Sequence, residues 1–105
     1  MPEYIYDVAL KTQLGLKKGI MSLHIDQGNI NGYLDILQHS EPFNGKIGIT
    51  GDCTLHGEFK TLMRFIKYTA IGHIDKSNVQ LVLQSAGEQF EMTGTARTQE
   101  VQQTT

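Results

Sequence analysis

Six polar side chains fall on phases where the chain otherwise places apolar residues: Lys17, Gln38, Arg64, Tyr68, Ser85 and Glu88. Read at a period of two, each should point inward with the apolar residues of its own segment. Together they could hold a small ligand. Arg64 and Lys17 would face an anion through charge-assisted hydrogen bonds, with Tyr68 and Gln38 as neutral hydrogen-bonding groups and Ser85 and Glu88 beside them. The same residues support a second reading. A lone ionised group in a low-dielectric interior is costly. Arg64 would then pair with Glu88 or Glu41 and plug the fold at that end, or reach water while its stem covers the core.

Other chemistries find little support. His24, His56 and His73 fall on the outward phase and His39 in a loop, and no spacing typical of metal ligands accompanies them. His39-Ser40-Glu41 has catalytic residue types, but three contiguous residues do not make a triad, and no nucleophile elbow is present. An enzyme is therefore not expected, nor is a metal or other cofactor. Cys53 is the single cysteine, which excludes a disulfide within the chain, and its inward phase beside a turn predicts a buried structural thiol. The 11 glycines are spread over the strands with no helix following them, so they form no phosphate loop.

The elements that must position these groups are strands. Tyr4, Tyr6, Val8 and Leu10 alternate with Ile5, Asp7 and Ala9; Gly19, Met21, Leu23 and Ile25 follow in the same manner, then Ile30, Gly32, Leu34 and Ile36. The run Phe43 to Phe59 reads as two alternating segments about Gly51-Asp52. Ala70, Gly72 and Ile74, then Val79, Leu81 and Leu83, then Phe90, Met92 and Gly94 complete the pattern. That makes eight strands at the spacing of a meander, with no convincing helix. Turn chemistry predicts Leu23 opposite Gly32, Met21 opposite Leu34, Lys17 opposite Gln38, Gly72 opposite Leu81 and Leu83 opposite Phe90. A three-residue loop Thr50–Asp52 would set Gly45 opposite Gly57 and Ile47 opposite Leu55.

Eight antiparallel strands leave two exposed edges unless the first joins the last, and inward glycines permit the sharp coiling that closure needs. The fold expected is all-β: an eight-stranded antiparallel up-and-down meander barrel with interior glycines, spanning residues 1–97, with a disordered polar tail over 98–105. In strand count it resembles the calycin and streptavidin-like meander barrels. The chain has no tryptophan, so neither the lipocalin Gly-x-Trp signature nor the tryptophans of avidin-like biotin sites are present, and biotin binding is not implied.

Parity divides the barrel into two ends. One holds the turns near Gly28, Gly51 and Ser77, with Ile25, Ile30, Ile49, Cys53, Ile74 and Val79 inward beside them. The other holds Thr12–Gly15, Gln38–Pro42, Lys60–Met63 and Ser85–Glu88, expected to be mostly longer loops and to carry the six polar residues. Near Leu62–Tyr68 the alternation is least clear, and a bulge there would turn Phe65 inward and Arg64 outward. On the outer face, Ile5 and Ile20 should pair, as should Ile71 and Val82; with Tyr33 and Leu37 they could form a surface for self-association.

A formal charge of −2 without a basic stripe argues against nucleic-acid binding. The segment MPEYIYDV resembles neither a signal peptide nor a membrane span, so a cytoplasmic setting is expected. Two functions from different classes follow. The first is a barrel that binds a small anionic or amphipathic ligand at its mouth. The second is a non-catalytic interaction or assembly module, homo-oligomeric, with a filled barrel.

Overall fold

The computed structural model describes residues 3–61 and 63–97; the expected tail at 98–105 lies outside the described residues. Eight strands follow in order: β1 (Glu3–Thr12), β2 (Gly15–Asp26), β3 (Asn29–Ile36), β4 (His39–Ile47), β5 (Asp52–Lys60), β6 (Phe65–Ile74), β7 (Asn78–Ser85) and β8 (Glu88–Ala96). Each pairs antiparallel with the next, and β1 pairs with β8, so the sheet closes into an up-and-down barrel. Among the described residues no helix is long and apolar enough to cross a membrane.

Closure rests on the inward alternation. Tyr6, Leu10, Met21, Leu23, Leu34, Leu55, Phe59, Leu83 and Met92 are each about 1% exposed or less and fill the interior. Beside them, inward glycines face large side chains across the ladder: Gly32 stands opposite Leu23, Gly45 opposite Leu55 and Gly72 opposite Leu81. A Cβ on Gly32 would overlap the carbonyl oxygen of Ser22, and one on Gly45 would overlap that of Thr54. Neighbouring backbones therefore approach more closely than any side-chain-bearing residue allows, and the sheet coils enough to meet itself.

Four of the expected registers are present: Leu23–Gly32, Met21–Leu34, Gly72–Leu81 and Leu83–Phe90. Two are corrected. Gly45 faces Leu55 and Ile47 faces Cys53, so β4 and β5 are offset by two residues from the expected pairing. The connection is not Thr50–Asp52 but residues 48–51. It is closed by Gly51 N–H donating to the Gly48 carbonyl (3.0 Å) and Gly48 N–H donating to that of Asp52 (2.9 Å). An offset of two keeps every side chain on its expected face. It does move Ile49 out of the strand and fully into solvent, rather than inward as the alternation suggested. Lys17 also does not meet Gln38. The β2–β3 ladder stops at Gly19–Ile36, because Leu37 and Gln38 form the hairpin turn and Lys17 pairs only with Leu10.

The two ends differ less in loop length than expected. Gln13-Leu14, Leu37-Gln38 and Ala86-Gly87 are two-residue turns, so what was read as a loop at 38–42 is strand from His39 onward. Residues 61–64 form the long connection at this end. The opposite end turns at Gln27-Gly28, at 48–51 and at Asp75–Ser77. Leu37 and Gln38 both take positive φ (56° and 67°), the conformation of a type I′ hairpin built without glycine or asparagine. No bulge inverts β6: Ile66, Tyr68 and Ala70 point inward and Phe65 outward.

Gly32→Ala is expected to destabilise the barrel by roughly 1–3 kcal/mol or more in urea unfolding, because backbone rather than a flexible side chain must move. Gln38→Gly is expected to stabilise it by about 0.5–1 kcal/mol in the same measurement, by relieving a left-handed residue.

Candidate functional site

At the end carrying the turns 13–14, 37–38, 61–64 and 86–87, here the upper end, Arg64 closes the β5–β6 connection. The Arg64 carbonyl accepts from Thr61 N–H (2.8 Å), and the Thr61 hydroxyl accepts from Arg64 N–H (3.1 Å) and Met63 N–H (3.3 Å). So fixed, Arg64 reaches past β7 and donates from Nη2 to Glu88 Oε1 at 2.8 Å. Both side chains are about half exposed, at 56% and 44%. The contact is an ion pair on the rim, a type worth about 0–1 kcal/mol. Ser85, half-buried, pairs with Glu88 across the β7–β8 hairpin. Arg64, Glu88 and Ser85 thus form one group. Lys17, half-buried on β2, and Gln38, exposed in the β3–β4 turn, belong to the opposite arc of the ring.

Tyr68 is the buried member of the six, at 6% exposure on β6 opposite Gly57. Its ring packs at 6.0 Å from that of Phe59, which in turn meets Phe90 edge-on at 5.7 Å. Burial pushes its hydroxyl pKa well above the usual tyrosine value, so the group remains a neutral phenol.

Four sets of interactions at the lower end escaped the sequence reading. Tyr6, 1% exposed, donates its hydroxyl to the Asp75 carbonyl at 2.6 Å. Burial, with smaller contributions from Tyr4 and Asp75, raises its pKa to about 12. Asp75 Oδ1 accepts from Ser77 N–H and Asn78 N–H, both at 2.8 Å, and these bonds hold its carboxyl below the ordinary range. His73 stands between two carboxylates, with Nδ1 at 3.4 Å from Asp52 and Nε2 at 3.3 Å from Asp75. Arg97 Nη2 donates to Asp7 at 2.6 Å, raising the arginine pKa and lowering that of the aspartate, and fastens the end of β8 to β1. The Arg97–Asp7 pair was in principle readable, since closure of β1 on β8 brings positions 90 residues apart side by side.

Cys53 is 6% exposed, and burial, then the neighbouring Asp52, pushes its thiol up to about 11. The thiolate is therefore scarce near neutrality, and the group is a poor nucleophile. Among the described residues no cluster of histidine, cysteine and carboxylate side chains could hold a metal ion.

Open grooves lie on the outer wall. One of about 1000 Å³ runs over β4–β7 near the lower end, past Lys46, Thr54, Ile71 and Val82. Another, of about 780 Å³, runs over β1, β2, β7 and β8, and one of about 640 Å³ lies over β4–β7 near the upper end. Ile71 and Val82 pair across β6 and β7 as expected. Ile5 and Ile20 do not pair with each other, since Ile5 faces Ser22 and Ile20 faces Asp7, and Leu37 packs on the core rather than outside.

Comparison with protein-family models, with curated proteins and with solved structures gave no match. The likeness to known barrels therefore stands at the level of a small closed antiparallel meander.

Tyr6 and Cys53 set an alkaline limit. Both have folded pKa values above their unfolded ones, 10.0 and 9.0, so their contribution is complete below those values and is lost as pH rises through about 12 and 11. Stability to urea should fall between about pH 9 and pH 12. Tyr6→Phe should lower it by about 1 kcal/mol at neutral pH and flatten the upper part of that decline.

Proposed function

We propose that the chain is a non-catalytic interaction module that associates with itself through the rim and outer wall of a filled barrel. The supporting observation is the placement of its large apolar side chains. The inward positions are occupied along the barrel, and among the described residues the buried ones are apolar apart from the phenols of Tyr6 and Tyr68 and the thiol of Cys53. Yet Leu14, Leu16, Met63 and Phe65, between 57% and 88% exposed, all project at the upper end. Leu14 and Met63 are turn residues, and Leu16 and Phe65 begin the strands that leave those turns. Apolar side chains held on short turns of a rigid barrel contribute contact area at small entropic cost, and they leave water when a second surface covers them.

The reading of an anion-binding mouth has less support. The guanidinium it needs is already engaged by Glu88, while Lys17 and Gln38 lie on another arc.

Sedimentation over a concentration series tests the proposal. The chain should associate reversibly at concentrations near 0.1–1 mM, an order of magnitude suited to a small weak contact. The double substitution Leu14→Ser, Met63→Ser should leave a monomer with an unchanged melting temperature, since both residues are exposed. A monomer at every concentration, or association that the double substitution does not touch, would remove the proposal's basis.

A further inference from the structure

The chain has four methionines. Met21 and Met92 are each 1% exposed and stand inside the barrel, Met21 opposite Tyr6 and Leu34, Met92 opposite Leu10 and Leu81. Met63 is the reverse case, 88% exposed in the connection between β5 and β6. Backbone contacts fix it there. The Thr61 hydroxyl accepts from Met63 N–H at 3.3 Å and from Arg64 N–H at 3.1 Å, and Thr61 N–H donates to the Arg64 carbonyl at 2.8 Å. The turn therefore holds a bare thioether out in water. Met1 lies outside the described residues.

The other readily oxidised groups are withdrawn. A cysteine is ordinarily the first target of a peroxide, but it reacts as thiolate. Cys53, the single thiol, is 6% exposed, and burial, then Asp52, pushes its pKa up to about 11, so little thiolate is present near neutrality. The chain has no tryptophan. Among the described sulfur atoms, access to an oxidant thus singles out Met63.

We propose that Met63 is a site of reversible oxidation by hydroperoxides, and that its sulfoxide releases the self-association of the barrel. The proposal rests on the reading of the upper end as an association surface and names the regulation of that surface. In the chemical step a sulfur lone pair attacks the terminal oxygen of the hydroperoxide. The O–O bond breaks and an S–O bond forms. The proton of the transferred oxygen passes to the departing one, which leaves as water or an alcohol. Sulfur loses two electrons and the peroxide gains two. The product carries a strong hydrogen-bond acceptor at the end where Leu14, Leu16 and Phe65 project as apolar groups. Covering that acceptor with a second copy costs the water bound to it, whereas covering the thioether releases water from apolar surface. The fold itself does not depend on the change, because a side chain so exposed packs against little.

The test treats the whole chain with a limiting dose of hydrogen peroxide. Peptide mass spectrometry should place one added oxygen on Met63 while Met21, Met92 and Cys53 stay unmodified, and the melting temperature should not change. In a sedimentation series the oxidised chain should show a dissociation constant raised by roughly ten-fold or more. A pair of methionine sulfoxide reductases, one for each sulfoxide epimer, should restore the original value. Met63→Leu sets its own baseline, and peroxide should leave that baseline where it is. Oxidation of Met21, Met92 or Cys53 as fast as Met63, equal association before and after oxidation at Met63, or a Met63→Leu chain that still responds to peroxide would each overturn the switch alone. An untreated chain that stays monomeric at every concentration would instead remove the self-association reading, and the switch with it.

Discussion

The close approach of neighbouring backbones at the inward glycines is the constraint on which the barrel depends. A meander of eight strands can lie open, with a row of unsatisfied amides along each edge, or curl until the edges meet. Curling needs places where one strand can press onto the next. Here Gly32, Gly45 and Gly72 supply them, each with backbone of the adjacent strand, a carbonyl oxygen and a leucine Cα, in the space that a Cβ would occupy. Coiling and core filling therefore come from the same residue pairs. The glycine lets the wall bend, and the leucine beside it supplies the apolar area that makes bending favourable.

That arrangement decides what kind of site the molecule can offer. A small barrel filled by leucine, methionine and aromatic side chains has little room inside, so its rims, turns and outer wall are the surfaces that any ligand or partner would meet. Polar groups follow the same division. Arg64 and Glu88 meet on the rim in water, Tyr6 spends its hydroxyl on the Asp75 carbonyl at the lower end, and Tyr68 keeps a neutral phenol over Gly57 inside the barrel.

Much of this could be read in the chain because period-two alternation survives local error. The β4–β5 offset was misjudged by two residues, and still every inward residue of those strands kept its face. What failed was local. Gly48 and Gly51 flank a segment that admits more than one turn, and the apolar Ile49 invited an extra strand residue that solvent now surrounds. Leu37-Gln38 carries none of the residues that signal a type I′ turn, so the hairpin went unseen and Lys17 was given a partner it does not have. The Arg64–Glu88 pair was among the alternatives because charge and parity suffice to suggest it. Pro42 was legible as a residue but not as the place beyond which the β4–β5 ladder, ending at Phe43 opposite Gly57, does not run. Its effect depends on which neighbour its missing N–H would have faced, and that follows only from hydrogen-bond direction along β4.

The clasp between Arg97 and Asp7 bears on how the molecule comes into being. Its halves are separated by almost the whole described chain, and the seam it secures joins the earliest ribbon to the latest. During synthesis on a ribosome, β1 must wait with a bare margin until β8 has emerged, and no shorter nascent chain can complete the ring. Such long-range closure is slow, because loop entropy has to be lost before the final contacts form. Asp7 in the middle of that waiting margin, with Lys11 further along it, gives the unfinished strand charges that discourage pairing with a neighbouring nascent copy.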